Sequence, residues 1–419
     1  MRNIITPLSI FFTAISLFSQ AEDLFIESTA EGIPKMDIVV SRFQPKNPGG
    51  LRKLSTKPWK IIANDLKVSG RFNVTETGYI DTALFHEKNI AVFIDGKYNF
   101  KDDKIIVECF LHDAYSLNLI AGKQYRVKKK ALRRAAHFFS DEVVYRLFGE
   151  KGIASTRIVC AAKHGKAKEI CILDYDGHNI TQITNNKRLN LSPAWSPDNK
   201  AVVYTSYRHK TPALYVTWIY TGKTERLTPN SRLNFSPSWN GIEDRIVFAS
   251  SLNNNCEIYA MDSDRENLSR LTFSAPIESS PCFSPNGYEI AFTSDRTGNP
   301  QIYIMDNEGT NTRRLTFEGK YNDSPAWSPK GDKIAYISLD KKGFNIFTLD
   351  LEGENVKQLT KSSGSNEHPS FSPDGRLIVF SSTKGGGSDL YIMNADGTDR
   401  TRITFFGNLY SPEWSGYYK

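Results

Sequence analysis

From residue 157 to residue 415 the chain alternates between short apolar runs of five or six residues and polar turns built of Pro, Gly, Asn and Asp. One stretch reads Ile290-Ala291-Phe292-Thr293-Ser294, a polar loop over 295–300, then Ile302-Tyr303-Ile304-Met305-Asp306, the turn Asn307-Glu308-Gly309 and the short run Arg314-Leu315-Thr316. Such runs, rich in β-branched and aromatic residues and bounded by turn formers, predict antiparallel strands. The stretch recurs. A signature Ser/His-Pro-x-aromatic begins at Ser192, Ser236, Ser280 and Ser324, then at His368 and Ser411, with a period of 44 residues and 43 at the last step. Four strands in a unit of roughly 40 to 45 residues predict the blade of a β-propeller.

The ends of the array predict how the ring closes. The first strand group (157–161, 169–174 and 181–184) has no Pro-aromatic strand before it, and the last Pro-aromatic strand, 410–415, has no partners after it. Joined, they complete one blade, close the ring at six and remove the free edges that an open stack would leave. The aromatics Trp195, Trp239, Phe283, Trp327, Phe371 and Trp414 hold the same place in every unit. A residue repeated around a ring is expected to serve the ring, here by filling the wedge between blades.

Before residue 151 the period changes. A strand pattern over 36–42 is followed by a helical stripe at Trp59, Ile62, Ala63 and Leu66 that stops at Gly70, and then by strand patterns over 91–94, 104–111 and 116–127. A second helix carries Leu132, Ala136, Phe139, Val143 and Leu147 on one side, with Gly149 ending it. The expected organisation is a signal peptide over 1–21, an α/β N-terminal domain over 22–150, and an all-β six-bladed propeller over 151–419. The signal reading rests on Arg2, the apolar stretch 4–18 and the small-x-small ending Ser19-Gln20-Ala21. It predicts an exported, soluble mature chain.

Of the formal charge of +7, the first 21 residues carry +1, residues 22–151 carry +5 and the propeller +1. The basic run Arg126-Val127-Lys128-Lys129-Lys130 with Arg133 and Arg134 reads as a solvated strand end and helix face. Without a recognisable nucleic-acid module, no nucleic-acid partner is expected. Five cysteines cannot form a complete disulfide framework. Cys160 and Cys171 flank a turn symmetrically, which puts them opposite one another in a hairpin and leaves their pairing open, while Cys109, Cys256 and Cys282 read as small buried groups.

Catalytic chemistry has no sequence support. Gly-x-Ser-x-Gly, His-Glu-x-x-His and Cys-x-x-Cys are all absent, so no catalytic, cofactor or metal residues are expected. Asp174-Tyr175-Asp176-Gly177, Asp350-Leu351-Glu352-Gly353 and Asn394-Ala395-Asp396-Gly397 read as turns. The informative polar residues precede each signature. Asn190, Asn234, Glu278, Asn322 and Asn366 are followed by Leu191, Phe235, Ser279, Asp323 and Glu367. The inner strand starts there, so these side chains are expected at one mouth of the channel with the loops at Tyr207-Arg208, Asp295-Arg296 and Asp340-Lys341. Such a ring suits docking of a protein loop, or, alternatively, turn capping by Asn; the unique Phe235, Asp323 and Tyr410 favour recognition.

Three segments are more specific than the repeat: Ile62-Ala63-Asn64-Asp65-Leu66-Lys67-Val68-Ser69-Gly70-Arg71-Phe72, Ser140-Asp141-Glu142-Val143, and Lys151-Gly152-Ile153-Ala154-Ser155-Thr156-Arg157-Ile158. With the propeller repeat, they give a chain that resembles the TolB family of the Tol-Pal cell-envelope system over nearly all of residues 22–419. The resemblance implies a periplasmic, monomeric, non-enzymatic adaptor supporting outer-membrane integrity and constriction at division, peripheral to membranes through its partners. It implies that the peptidoglycan-associated lipoprotein Pal binds one propeller mouth, at Leu233, Asn234, Phe235, Glu278, Asn322, Asp323, Asn366, Glu367 and Tyr410. It also implies that TolA binds the segment 22–33, through Leu24, Phe25, Ile26 and Glu27, with other outer-membrane proteins as further candidate partners. The competing expectation is a secreted propeller hydrolase, or a protein that holds a sugar or other small ligand in the channel.

Overall fold

A computed structural model describes residues 35–46, 54–229, 232–361 and 364–418. The expected signal peptide and the segment holding Leu24, Phe25, Ile26 and Glu27 lie outside the described residues. The N-terminal module is a mixed sheet with helices on it. Strands β1 (Met36–Ser41), β2 (Gln44–Pro45), β3 (Phe72–Thr77), β4 (Val92–Lys101), β5 (Lys104–Asp113) and β6 (Leu119–Lys128) form a sheet in the order β3-β1-β4-β5-β6, with β2 beside β4. β1 runs parallel to both neighbours, whereas β4, β5 and β6 form antiparallel hairpins.

Helices α1 (Pro58–Val68) and α3 (Leu132–Phe148) cover one face of this sheet, where Ile62, Leu66, Phe139 and Val143 meet Ile38, Val40, Ile94 and Leu111. The sequence sets their ends. Pro58 opens α1, where its missing N–H costs nothing. Gly149 closes α3 in the left-handed conformation at φ 70°. The short α2 (Thr82–Glu87) is capped by Asp81, which accepts from the N–H of Ala83 at 3.0 Å, and it places Phe85 against Phe93 on the other face. β3 and α2 stand outside the sequence expectation.

The propeller has six four-stranded sheets, as the repeat predicts. Its inner strands are Asn190–Trp195, Asn234–Trp239, Glu278–Phe283, Asn322–Trp327, Asn366–Phe371 and Leu409–Trp414. Each slips register around its Pro, and the preceding Ser or His sits at φ between 47° and 54°. This bulge lets a residue with no N–H stand in a strand without costing a ladder bond.

The closing blade pairs Leu409–Trp414 with β7 (Arg157–His164), followed by β8 (Ala167–Asp174) and β9 (Thr181–Gln182). Tyr410 faces Ala161 and Trp414 faces Ile158 across that junction. Cys160 and Cys171 are direct partners between β7 and β8, and both are free thiols.

Five of the six wedge aromatics are buried, and two indoles reach back to the preceding blade. Trp195 Nε1 donates to the carbonyl of Glu413, and Trp327 Nε1 to that of Cys282, both at 3.2 Å. Trp239 departs from the pattern. It is only partly buried, and its indole donates instead to Asp244 at 2.9 Å.

Candidate functional site

Each inner strand begins at one mouth of the central channel and ends at the other. The strands alternate in direction, so two sets of loops return to the starting mouth: those joining second to third strands, and those joining each fourth strand to the next blade. The A-to-B turns, such as Ser284-Pro285-Asn286-Gly287, and the C-to-D turns, such as Asp174-Tyr175-Asp176-Gly177, lie at the far mouth.

The N-terminal module is held at the far mouth by a buried polar seam. Asp65 on α1 accepts from Ser140 of α3 at 2.7 Å and from the Tyr175 hydroxyl of the turn after β8 at 2.9 Å, and it pairs with His137 Nδ1 at 2.8 Å. His137 Nε2 faces Asp174 and Asp176, each 3.9 Å away, while Arg133 pairs with both carboxylates. Burial alone would depress the His137 pKa, but the Asp65 carboxylate, helped by Asp176, outweighs it and holds the imidazole above its ordinary value. Asp65, His137 and Asp176 bring ligand-type atoms within 4.8 Å of one another. The guanidinium of Arg133 already supplies the positive charge that a bound cation would bring.

The connection between module and propeller is clamped beside this seam. The Asp141 carboxylate accepts the N–H groups of Ala154 at 2.7 Å and Ser155 at 2.9 Å; burial pushes its pKa up to about 6 against the pull of these bonds. Gly152 passes so close that a Cβ there would lie 2.6 Å from Asp141 Cα. Thr156 takes the indole N–H of Trp414 at 2.8 Å, which ties the closing strand to the same junction.

Among the described residues, the module leaves the starting mouth clear. Among the residues expected to form it, the structure separates two groups. Asn234, Glu278, Asn322 and Asn366 are buried, only 0–3% exposed, and they bond within their own blade or to the preceding one. Asn322 Nδ2 donates to Gln301 at 2.8 Å, Asn234 and Asn366 each accept from a serine at 2.8 Å, and Glu278 binds Arg296 at 3.0 Å. Their expected exposure on the docking face is therefore corrected: the four side chains lie inside the propeller, where most of their polar atoms are bonded while Asn322 Oδ1 and Glu278 Oε2 have no partner among the described residues.

Leu233 is exposed, and Phe235, Asp323, Glu367 and Tyr410 are half-buried around the throat. Asp323 accepts from Thr293 at 2.7 Å, and the Lys168 ammonium lies 3.8 Å from the centre of the Tyr410 ring. The channel below holds about 400 Å³ and is lined by the six signature segments, with Glu413, His368 and Cys282 among its lining groups. Burial raises the Glu413 pKa to about 8 against the pull of the Trp195 backbone N–H, and lowers that of His368 despite Glu367 and Asp323 nearby.

Residues 144–418 match the TolB beta propeller domain, and residues 24–120 match the TolB amino-terminal domain. The chain belongs to the TolB family. TolB from Acinetobacter baumannii, known from its crystal structure, is similar over 92% of this chain and 98% of its own, at 29% identity and a TM-score of 0.78. The Tol-Pal system protein TolB of Geobacter sulfurreducens is 36% identical over 193 residues, which are 43% of this chain and 44% of the relative. That of Polaromonas naphthalenivorans is 32% identical over 225 residues, 52% of this chain and 51% of the relative. The chain thus spans about half the length of these curated TolB relatives. The three segments that carry the TolB resemblance in the sequence meet at one place: Asp65 comes from the first, Ser140 and Asp141 from the second, and Gly152 to Thr156 from the third. In this chain, then, these segments build the seam between module and propeller. Spacing could not reveal it, because members such as Asp65 and Tyr175 lie 110 residues apart along the chain.

Proposed function

We propose that this chain is a periplasmic adaptor of the Tol-Pal system, with no reaction of its own, that joins two partners. Its clear mouth receives Pal through Leu233, Phe235, Asp323, Glu367 and Tyr410. The segment with Leu24, Phe25, Ile26 and Glu27 is the contact for TolA. The observation that carries the reading is the polarity of the molecule: the N-terminal module occupies the far mouth, which leaves the opposite one open with exposed apolar and charged groups. A ring of mixed groups around a shallow opening suits a protein loop. Through these partners the chain supports outer-membrane integrity and envelope constriction at division.

The test is affinity capture from detergent-solubilised envelopes, comparing the wild-type chain with Leu233→Arg, Tyr410→Arg. Recovery of a peptidoglycan-binding lipoprotein that the variant loses is expected. Recovery of no such lipoprotein by the wild type refutes the adaptor reading and turns attention to a small ligand in the channel.

A further inference from the structure

We infer that the partner seated on the clear mouth presents an acidic surface, drawn in by a basic rim and gripped by three exposed phenylalanines. The inference rests on the adaptor reading and adds the chemistry of the partner.

The propeller is nearly neutral, with 30 basic and 29 acidic residues over 152–419, yet its two faces differ in sign. The loops of the clear mouth carry twelve Lys or Arg against three Asp or Glu, counting Asp340 at the tip of its hairpin. The turns of the far mouth, leaving out the junction to the module, carry six against thirteen. Of the twelve cations on the clear mouth only Arg296 is drawn inward, onto Glu278. The others are exposed, and none forms an ion pair among the described residues; Arg208, Lys210, Arg232, Lys341, Lys342 and Lys384 are among them. Charges left without partners on one face raise the local potential and steer an oppositely charged partner onto it.

The same rim exposes large apolar groups at a repeated position. Phe273, Phe317 and Phe405, each following the fourth strand of its blade, are 77%, 67% and 72% exposed. Under each lies an arginine of the same strand: Arg270 at 4.6 Å, Arg314 at 5.0 Å and Arg402 at 4.7 Å from the ring centre. Arg270 and Arg402 are fixed in turn by Glu257 and Asp389 at 2.7 and 2.6 Å. Each ring thus stands on a prepared support and lies open to solvent. Aromatic groups held in place lose little freedom on binding, which makes them effective anchors at protein interfaces.

The test measures binding kinetics between the full chain and the soluble domain of the Pal lipoprotein from the same cells, at salt from about 50 to about 500 mM. The association rate should fall ~10-fold or more over that range, as steered encounters do. A Lys341→Glu, Lys342→Glu, Lys384→Glu variant should lose roughly 10-fold or more in association rate and most of the salt dependence. A Phe273→Ser, Phe317→Ser, Phe405→Ser variant should dissociate faster with its salt dependence unchanged. All six positions are exposed, and an unchanged Tm confirms that the variants fold. Salt-independent binding that the charge variant leaves intact overturns the inference and spares the adaptor reading. Failure of the wild type to bind Pal at any salt overturns both. Binding of the chain alone to vesicles with about one-third anionic lipid, with the same salt slope and the same loss in the charge variant, overturns the inference in favour of a membrane surface.

Discussion

Trp414 gives the sharpest test of how the ring is held shut. Its ring is 5% exposed and packs with Ile158, Tyr175 and Leu409, while its indole N–H donates to Thr156 and its backbone N–H to Ser370 at 3.0 Å. Truncating a buried Trp to Ala removes its transfer energy and leaves a cavity, roughly 3–5 kcal/mol. The Thr156 hydroxyl left without its donor adds about 1 kcal/mol. For a domain of this size each kcal/mol moves Tm by roughly 2–4 °C, so Trp414→Ala should lower Tm by roughly 10–20 °C in a calorimetric scan. Trp239→Ala is the internal control. That indole is half-buried and bonded only to the surface Asp244, so the same substitution should cost about 1–2 kcal/mol. Equal losses at the two sites, or an unchanged Tm for Trp414→Ala, would refute the claim that the closing strand carries more of the ring's stability than its counterpart in an inner blade.

The seam supplies further predictions. His137 has a raised pKa, so the stability it lends is complete below its unfolded value of about 6.5 and is lost as pH rises through the raised value. His137→Gln should cost roughly 3–5 kcal/mol near pH 6 by leaving Asp65 short of a charge partner, and should flatten this decline in urea titrations run up to about pH 9. An unaltered slope would mean that other groups set it. At the junction, Gly152→Ala drives a Cβ into Asp141, whereas Gly149→Ala meets open space and only the cost of its positive φ, about 1 kcal/mol. The first should therefore lower Tm by clearly more than the second, and the reverse order would show that the clamp yields.

The propeller was legible because its repeat is regular and its strands are apolar on both faces, as in Ile290–Ser294 within the strand Glu289–Ser294. Even its closure could be read from the unpaired strand patterns at its two ends. In the N-terminal module α1, α3 and the hairpins β4-β5-β6 follow the apolar pattern. β3 escaped because Phe72–Thr77 is mostly polar and lies at the sheet edge, and α2 because six residues give no helical period.

The inner strands do start together at one mouth, but four of the polar residues expected to be presented there are buried. Asn234, Glu278, Asn322 and Asn366 look like a ligand ring in sequence, and the pairing of each with the second or third strand shows only in three dimensions. The opposed charge of the two faces was hidden for a related reason. It cancels in the total and emerges only when each loop is assigned to its mouth.

The pairing of β7 with Leu409–Trp414 also fixes the order in which the molecule can be completed. β7 is made early, but its partner lies some 250 residues downstream, so the strand has an open edge while five blades are synthesised. Contacts of such long separation form late and slowly, and an unpaired strand edge invites pairing with other chains meanwhile. A chain that stops just short of the last strand therefore has a nearly full set of strands and no closed ring, a natural target for chaperones and proteases in the compartment where it folds.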